Sequence, residues 1–258
     1  MKTLLITGGS KGLGNELTLK FLSEGWKVIN ISRTDLDGAR NKYYQFYECD
    51  LSDIFKVEEV IKNIIKKEER IDVVINNAGS CVYGPLELHK TSKIVSEFNI
   101  NVISQIIIVK YIIPILKPYS KIVGIGSVAG LITSPFCSIQ HSNKFALEGF
   151  YESLYQEMIP LKIKVQLYEL NSLKTKMLEK TFVYDSDKKE YFNRSKENLN
   201  ICKNNYIYNL EPSFVARKIF QNIIDSDQFR FYIGKDIKEF YLYELKKDEK
   251  KYLHRFYG

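Results

Sequence analysis

A glycine-rich loop near the start of the chain has the composition needed to bind phosphate groups. Directly after the apolar run at residues 3–7, the sequence reads TGGSKGLG. Gly8, Gly12 and Gly14 permit a tight turn and a close approach of the backbone to a ligand. A helix that follows such a loop points its unpaired N–H groups at a diphosphate. The spacing therefore predicts a dinucleotide-binding loop.

The elements that must position this loop follow from the hydrophobic pattern. Short apolar runs alternate with longer amphipathic segments, which is typical of βαβ units on a parallel sheet. We predict strands at residues 3–7, 26–32, 71–76, 121–127, 162–169 and about 229–233. We predict helices at about 12–24, 53–69, 91–117, 138–159, 212–226 and 236–256. The chain has no repeat or linker, so we expect residues 1–258 to form a single domain with a Rossmann-type, doubly wound α/β fold.

Several motifs in order give the chain a family resemblance. It resembles the short-chain dehydrogenases/reductases over about residues 3–175, beginning with their T-G-x-x-x-G-x-G loop, and again at 211–219. The further motifs are CDLSD with Asp50, NNAG at 76–79, NINV with Asn101, GSVAG with Ser127, and KFALEGF from Lys144. The resemblance implies that the dinucleotide is bound by Gly8, Ser10, Lys11, Gly12, Leu13, Gly14, Arg33, Asp50, Leu51, Asn77, Ala78, Gly79, Lys144 and Thr175.

The end of the second predicted strand bears on which dinucleotide binds. NAD-specific folds of this type place a carboxylate there for the ribose 2′-hydroxyl, whereas this strand ends in NISRT, with Ser32 and Arg33 at that point. Arg33 and Lys11 could both reach a 2′-phosphate, because guanidinium binds phosphate bidentately and an ammonium adds a point charge. The alternative is that both are ordinary surface bases. We predict a preference for NADP(H) over NAD(H).

The resemblance also implies a catalytic group of Asn101, Ser127 and Lys144, which in the family includes a tyrosine as proton donor. That position, thirteen residues after Ser127 and four before Lys144, holds Gln140. A glutamine amide can donate an N–H to a carbonyl but does not release a proton near neutral pH. Loss of a general acid typically slows a reaction by about 10²–10⁴-fold, so we expect activity to be impaired or rerouted.

Several other groups could supply the proton that Gln140 cannot. One step along a helix turns a side chain by about 100°, which directs His141 away from the position of Gln140. Ser138 and Ser142 are disfavoured, because a serine hydroxyl has an unsuitable pKa and their positions lie on a different face of the helix. The remaining candidates are a water held by Lys144 and the hydroxyls of Tyr83, Tyr168 and the tyrosines of residues 176–210. Replacement of a natural tyrosine in this particular chain stays open as well.

Residues 176–210 have no clear period and fall where the family has its variable substrate lid. Their tyrosines, asparagines and scattered bases suit a small polar, sugar-like or anionic ligand, although the aromatic rings could equally pack the lid onto the body. Just before them, Leu170-Asn171 replace the Pro-Gly that is usual in the family. Three functions remain: an NADP(H)-dependent oxidoreductase of a carbonyl/alcohol pair, a non-catalytic NADP(H)-binding sensor or partner protein, and a dehydration or epimerisation.

The composition narrows the class of partner. Lysine and arginine total 38 against 31 acidic residues, a net charge of +7, but the acids are interleaved with the bases, which argues against a nucleic-acid surface. The four cysteines and three histidines have no zinc spacing, so we predict reduced thiols and no metal site. The first apolar run is too short for a signal peptide or a membrane span, which predicts a cytoplasmic protein without membrane contact. The resemblance implies a small-molecule substrate, and a homodimer or homotetramer formed through helices 91–117 and 138–159.

Overall fold

The computed structural model describes residues 1–38, 41–175, 193–197, 200, 210–234 and 237. Their centre is a sheet of seven parallel strands in the order β3-β2-β1-β4-β5-β6-β7. The strands are β1 (Thr3–Thr7), β2 (Lys27–Ser32), β3 (Tyr44–Glu48), β4 (Ile71–Asn76), β5 (Leu116–Ile125), β6 (Lys164–Leu170) and β7 (Arg230–Ile233). The strand order reverses between β1 and β4, and ligands of doubly wound sheets bind at the carboxyl ends of such a pair.

Helices cover both faces of this sheet. In the described residues they are α1 (Gly12–Ser23), α2 (Ile54–Lys67), α3 (Thr91–Phe98), α4 (Ser104–Ile112), α5 (Ser138–Met158) and α6 (Pro212–Asp225). On one face α1 packs against α6, and the rings of Phe21 and Phe220 meet edge to face with centroids 4.9 Å apart. On the other face α2, α4 and α5 contribute Ile61, Ile108 and Leu147 to a second apolar core. The predicted Rossmann-type fold is thus confirmed.

One strand of the sheet, β3, was not predicted from the sequence. Its residues YQFYE are only partly buried, because β3 lies at the edge of the sheet and pairs with β2 alone among the described strands. Buried parallel strands are recognisable as continuous apolar runs, and a half-buried edge strand has no such run.

The single helix predicted at 91–117 is wrong in its boundaries. The chain forms α3, a π-helical turn at Asn99–Ile103, α4, and a 3₁₀ turn at Ile113–Ile115 before β5 begins at Leu116. Pro114 lacks the N–H that a continuing helix needs, so the apolar run passes directly into the strand. As a result β5 begins earlier than the predicted strand 121–127 and ends at Ile125.

Two predicted features lie largely outside the described residues. The helix predicted at 236–256 falls there except for residue 237, and the lid predicted at 176–210 falls there except for 193–197, 200 and 210. Residues 193–197 are helical. Leu210 forms a parallel bridge with Leu173, a residue shortly after β6.

Within the described part of the chain, one helical stretch, Thr91–Ile115, is long and apolar enough by length and composition to cross a membrane. It occupies the place of a core helix in this fold, since α4 packs against α2, and Ile108 and Ile112 are fully buried. Two polar side chains of the same stretch, Glu97 and Asn101, are also buried in the protein. The stretch therefore belongs to the core of the domain.

Candidate active site

The glycines of the loop lie at positions where a side chain would be strained or would clash. Gly8 and Gly12 adopt positive φ angles of 66° and 55°, which other residues rarely adopt. A Cβ atom on Gly14 would lie 2.0 Å from the carbonyl oxygen of Gly8, and one on Gly9 would lie 2.6 Å from Thr18 Oγ1. The backbone is therefore open to close approach by a ligand at the start of α1.

A buried asparagine that sequence analysis did not single out supports this loop. Asn30, in the middle of β2, is fully buried and accepts a hydrogen bond from Gly9 N at 2.8 Å. Its amide nitrogen donates to Ser10 Oγ and to the Tyr44 hydroxyl, both at 2.9 Å. An amide inside a buried apolar strand needs polar partners, and that requirement was the available signal. The glycine-rich loop is thereby tied to β2 and β3.

The NNAG segment begins at the end of β4 and lies beside the glycine-rich loop, at the crevice between the carboxyl ends of β1 and β4. The amide nitrogen of Asn77 donates to the carbonyl oxygens of Thr7 at 3.0 Å and Gly8 at 3.2 Å. The backbone N–H groups of Asn77 and Ala78 both donate to Thr7 Oγ1 at 3.1 Å. These bonds join the ends of β1 and β4 at the reversal of strand order.

At the adenosine side of the predicted cofactor site, the carboxyl group of Asp50 interacts with the charge of Arg33. Burial opposes ionisation of Asp50, but hydrogen bonds from Ser52 and the positive charge of Arg33 together lower the pKa of its carboxyl group. Arg33 and Lys11 are both exposed, and Lys11 is the residue immediately before α1. Lys11 and Arg33 are thus two exposed cations, one at the start of α1 and the other directly after β2, where it interacts with Asp50. Of the other predicted cofactor residues, Leu13 and Leu51 are buried, and Thr175 approaches Gly12 closely enough that a Cβ there would lie 3.4 Å from its methyl group.

Asn101 holds the loop after β4 rather than facing the crevice with a free side chain. Its Oδ1 accepts from Ser80 N at 2.9 Å, and its Nδ2 donates to Ser80 O at 3.1 Å and to Glu97 Oε2 at 3.2 Å. Its carbonyl oxygen accepts from Gln105 Nε2 at 2.8 Å, and Gln105 Oε1 in turn accepts from the Tyr151 hydroxyl at 2.8 Å. The π-helical turn that contains Asn101 is therefore fixed on both sides.

Ser127 and Lys144 meet at the end of β5. Ser127 begins the short 3₁₀ turn Val128–Gly130, and its Oγ accepts a hydrogen bond from Ala129 N at 3.2 Å. The ammonium group of Lys144 donates to Ile125 O at 2.9 Å and lies 3.5 Å from Gly126 O. Burial lowers the pKa of Lys144, while the nearby carboxyl groups of Glu169 and Glu148 oppose that shift.

Gln140 lies in the first turn of α5, four residues before Lys144. Its side-chain oxygen is buried and accepts no hydrogen bond within the described residues. Such a buried, unpaired acceptor costs free energy unless a ligand or water donates to it.

Several of the groups considered as substitute acids already form hydrogen bonds within the protein. His141 Nε2 accepts from Ser134 N at 2.9 Å, so the proton is on Nδ1, which donates to Ala129 O at 2.8 Å. The fully buried Tyr168 donates to Gln166 Oε1 at 3.0 Å, and burial raises the pKa of its hydroxyl far above its usual value. Ser142 is exposed and donates to Ser138 O at 2.8 Å. Tyr83 is buried.

Comparisons with known proteins agree with this geometry. The family model of the short chain dehydrogenases matches residues 2–184. A probable short-chain type dehydrogenase/reductase of Helicobacter pylori, VdlC, is 30% identical over 224 residues, which cover 85% of this chain and 82% of that protein.

Two solved structures resemble the whole chain. A short chain dehydrogenase/reductase from Burkholderia phymatum in complex with NAD has a TM-score of 0.79 at 19% identity and covers 96% of this chain and 95% of its own, a likeness of fold. ElxO with NADP bound has a TM-score of 0.72 at 26% identity and covers 92% of this chain and 99% of its own. Both NAD and NADP complexes therefore occur among proteins of this fold.

Proposed function

Since the chain belongs to the short-chain dehydrogenase family, we propose that it is an NADP(H)-dependent oxidoreductase of a carbonyl/alcohol pair in a small, polar substrate. The observation that carries the proposal is the common location of three features at the carboxyl edge of the sheet. The glycine-rich loop Gly8–Gly14, the end of β5 with Ser127, and the Lys144 ammonium all meet there. The loop suits a diphosphate, and Ser127 and Lys144 suit a reacting carbonyl beside a ribose.

The preference for NADP(H) is supported by the charges beside the loop. Arg33 and Lys11 are exposed and Arg33 is close enough to Asp50 to lower the pKa of that carboxyl. A 2′-phosphate would be attracted to this pair, whereas a 2′-hydroxyl would gain little from it. Comparison of the NADPH and NADH dissociation constants by calorimetry tests the preference, and equal or tighter binding of NADH would contradict it.

We further propose that Gln140 occupies the position of the family's proton-donating tyrosine. The cofactor, when bound, supplies hydride transfer. Gln140 and Ser127 then orient the substrate carbonyl by hydrogen bonds, and the buried Lys144 holds the ribose. Because an amide does not release a proton at neutral pH, the proton that completes an alcohol has to come from another group, so turnover is slow.

A second candidate function is a non-catalytic NADP(H)-binding sensor or partner protein. Gln140 and Leu170-Asn171 favour it, and so does the commitment of His141 and Tyr168 to other hydrogen bonds. In this case cofactor binding is intact and no carbonyl is reduced.

One experiment separates the two functions. NADPH oxidation is measured across a panel of carbonyl compounds for the natural chain and for Gln140→Tyr. Activity in both identifies an oxidoreductase with a substitute acid, and activity in the tyrosine variant alone identifies a site that has lost only its acid. Tight NADPH binding without activity in either identifies the sensor, and absence of cofactor binding contradicts both functions.

The remaining proposals concern assembly and location. We propose a cytoplasmic homodimer or homotetramer in which α5 contributes to the interface, supported by the exposure of Phe145, Ala146 and Gly149 along one side of that helix. Sedimentation at the mass of one chain, with or without NADPH, would contradict the oligomer.

A further inference from the structure

Three buried charged residues lie behind Ser127 and Lys144, and none of them was singled out from the sequence. Glu169 is on β6 and fully buried, while the side chains of Glu148 on α5 and Arg230 on β7 are 13% and 20% exposed. Ionisable groups this deeply buried require compensating partners. The partners they have connect them directly to the candidate active site.

The connection runs through one peptide group, between Gly126 and Ser127. Its N–H donates to Glu169 Oε2 at 3.0 Å, and its carbonyl oxygen lies 3.5 Å from the ammonium of Lys144. The fit around this peptide is tight, because a Cβ atom on Gly126 would lie 2.7 Å from Glu169 Oε2. The Glu169 carboxyl therefore fixes the N–H of Ser127, and the carbonyl of the same peptide group lies beside Lys144.

The two carboxyl groups face the same arginine, and each has one oxygen without a partner. Glu148 Oε2 accepts from Arg230 Nη2 at 2.8 Å, and Arg230 Nε lies 3.9 Å from Glu169 Oε1. Within the described residues, Oε1 of each carboxyl group accepts no hydrogen bond. Two ionised carboxylates cannot donate to each other, whereas a single proton between them satisfies both oxygens.

The charges around the pair agree with one proton. Burial raises the pKa of Glu169, as does its neighbour Glu148, and burial also raises the pKa of Glu148 itself. Arg230 and Lys144 are the nearby cations, and Arg230 Nε lies 3.9 Å from Glu169 Oε1. The other titratable groups that face the cluster are Glu152 on α5, Tyr232 on β7 and Cys81 in the loop after β4.

We propose that Glu169 and Glu148 share one proton at neutral pH and, anchored on Arg230, act as positioning residues that hold Ser127 and Lys144 in place. Loss of the shared proton puts two adjacent negative charges behind the Gly126–Ser127 peptide and loosens it. The shared proton is independent of the function proposed above, whereas the effect on cofactor binding rests on it.

The first test reads the proton directly and needs no cofactor. The protein is labelled with ¹³C at the glutamate side-chain carboxyls and titrated by NMR, and Glu169 is assigned by comparison with Glu169→Gln. We expect the Glu169 resonance to move only at alkaline pH. Glu152→Gln is the matched control, because it removes an exposed carboxylate 3.8 Å from the same arginine and should leave the titration of Glu169 unchanged. Titration of Glu169 below about pH 5, near the value for an ordinary glutamate, would overturn the shared proton.

The second test reads the positioning role through NADPH affinity measured against pH. Glutamine at position 169 keeps an acceptor for Ser127 N and a donor for Glu148 but cannot ionise. We therefore expect Glu169→Gln to retain the affinity at neutral pH and to lack the alkaline decline that the proposal predicts for the unaltered chain. Glu169→Ala, which removes both hydrogen bonds, should weaken binding about tenfold at every pH. Equal weakening by both variants, or an alkaline decline that persists in Glu169→Gln, would overturn the proposal.

The two tests fail independently. If the natural chain binds no NADP(H), the proposed function is wrong, and the carboxyl titration still decides whether the proton is shared. The position of Lys144 is then read from its ¹³Cε resonance, assigned with Lys144→Arg, which should shift in Glu169→Ala and stay in place in Glu169→Gln. A resonance unchanged in both variants would contradict the positioning role. Thermal unfolding of each variant shows whether it is folded.

Discussion

The imidazole of His141 is joined to the backbone of Ala129 by a hydrogen bond of 2.8 Å from Nδ1 to the carbonyl oxygen. Its other nitrogen accepts from Ser134 N at 2.9 Å, so a neutral histidine uses both ring atoms to hold the segment between Ser127 and α5. The only titratable side chain adjacent to Gln140 in sequence is therefore a structural group. This segment also carries the catalytic candidates at each of its ends.

Replacement of His141 by phenylalanine should destabilise the protein by about 1–3 kcal/mol, because it leaves the Ala129 carbonyl and the Ser134 N–H without their partner. Thermal unfolding measures the change. The control is Ser142→Ala, next along the helix and exposed, which should stay within about 0.5 kcal/mol. Unchanged stability in His141→Phe, together with loss of turnover, would show that His141 is the substitute acid instead.

Replacement of Gly14 by alanine should abolish cofactor binding and lower the stability of the domain. The added Cβ would lie 2.0 Å from Gly8 O, a backbone atom that cannot move without opening the loop. Gly149→Ala is the matched control, since a Cβ there has no neighbour within 4 Å among the described residues and alanine is favoured inside a helix. Calorimetry with NADPH measures binding, and normal affinity in Gly14→Ala would show that the dinucleotide does not lie on this loop.

Replacement of Arg33 by alanine should weaken NADPH binding about 10–100-fold and leave NADH binding nearly unchanged, because only the 2′-phosphate is expected to pair with the guanidinium. Lys117→Ala serves as the control. It removes an exposed cation from the amino-terminal part of β5, away from the carboxyl edge of the sheet. An equal loss of both cofactors in Arg33→Ala would mean that Arg33 supports the loop rather than selecting the phosphate.

The stability of the protein should decrease as the pH rises from about 5 to about 9. Burial and the neighbouring Glu148 raise the pKa of the Glu169 carboxyl to about 9, above the 4.5 of an ordinary glutamate. A group whose pKa is higher in the folded state stabilises fully below its unfolded pKa, and this stabilisation is lost as the pH rises through the folded value. Melting temperatures at several pH values measure the slope. Glu169→Gln should have a flatter profile than the natural chain, and identical slopes would contradict the prediction.

The fold was predictable because its signals are local. The buried strands β1, β4 and β6 contain apolar runs, and each run indicates a buried strand at its place in the sequence. The spacing of Gly8, Gly12 and Gly14 follows from the geometry of one turn. The boundaries of the region 91–117 were not predictable in this way. There an apolar sequence passes from helix to strand, and only Pro114 marks the change.

Within the candidate site, short motifs were enough to single out Asn77, Ser127 and Lys144, whose roles stay predictions. Asn30 was missed because its structural role depends on hydrogen bonds with Gly9 and Tyr44, which approach it from two other segments. Its amide inside an apolar strand indicated a buried polar contact, but the sequence of the strand does not identify the hydrogen-bond partners.

The sequence by itself determined the sheet, the phosphate loop and the residue types at positions 127, 140 and 144, since each depends on neighbours a few residues apart. Only the tertiary structure decided the surroundings of those residues. Glu148 and Arg230 are 82 positions apart, and Ser127 and Glu169 are 42 positions apart. The strength of a buried charge contact depends on burial and on the distance between atoms, and neither is encoded in the local pattern of the chain.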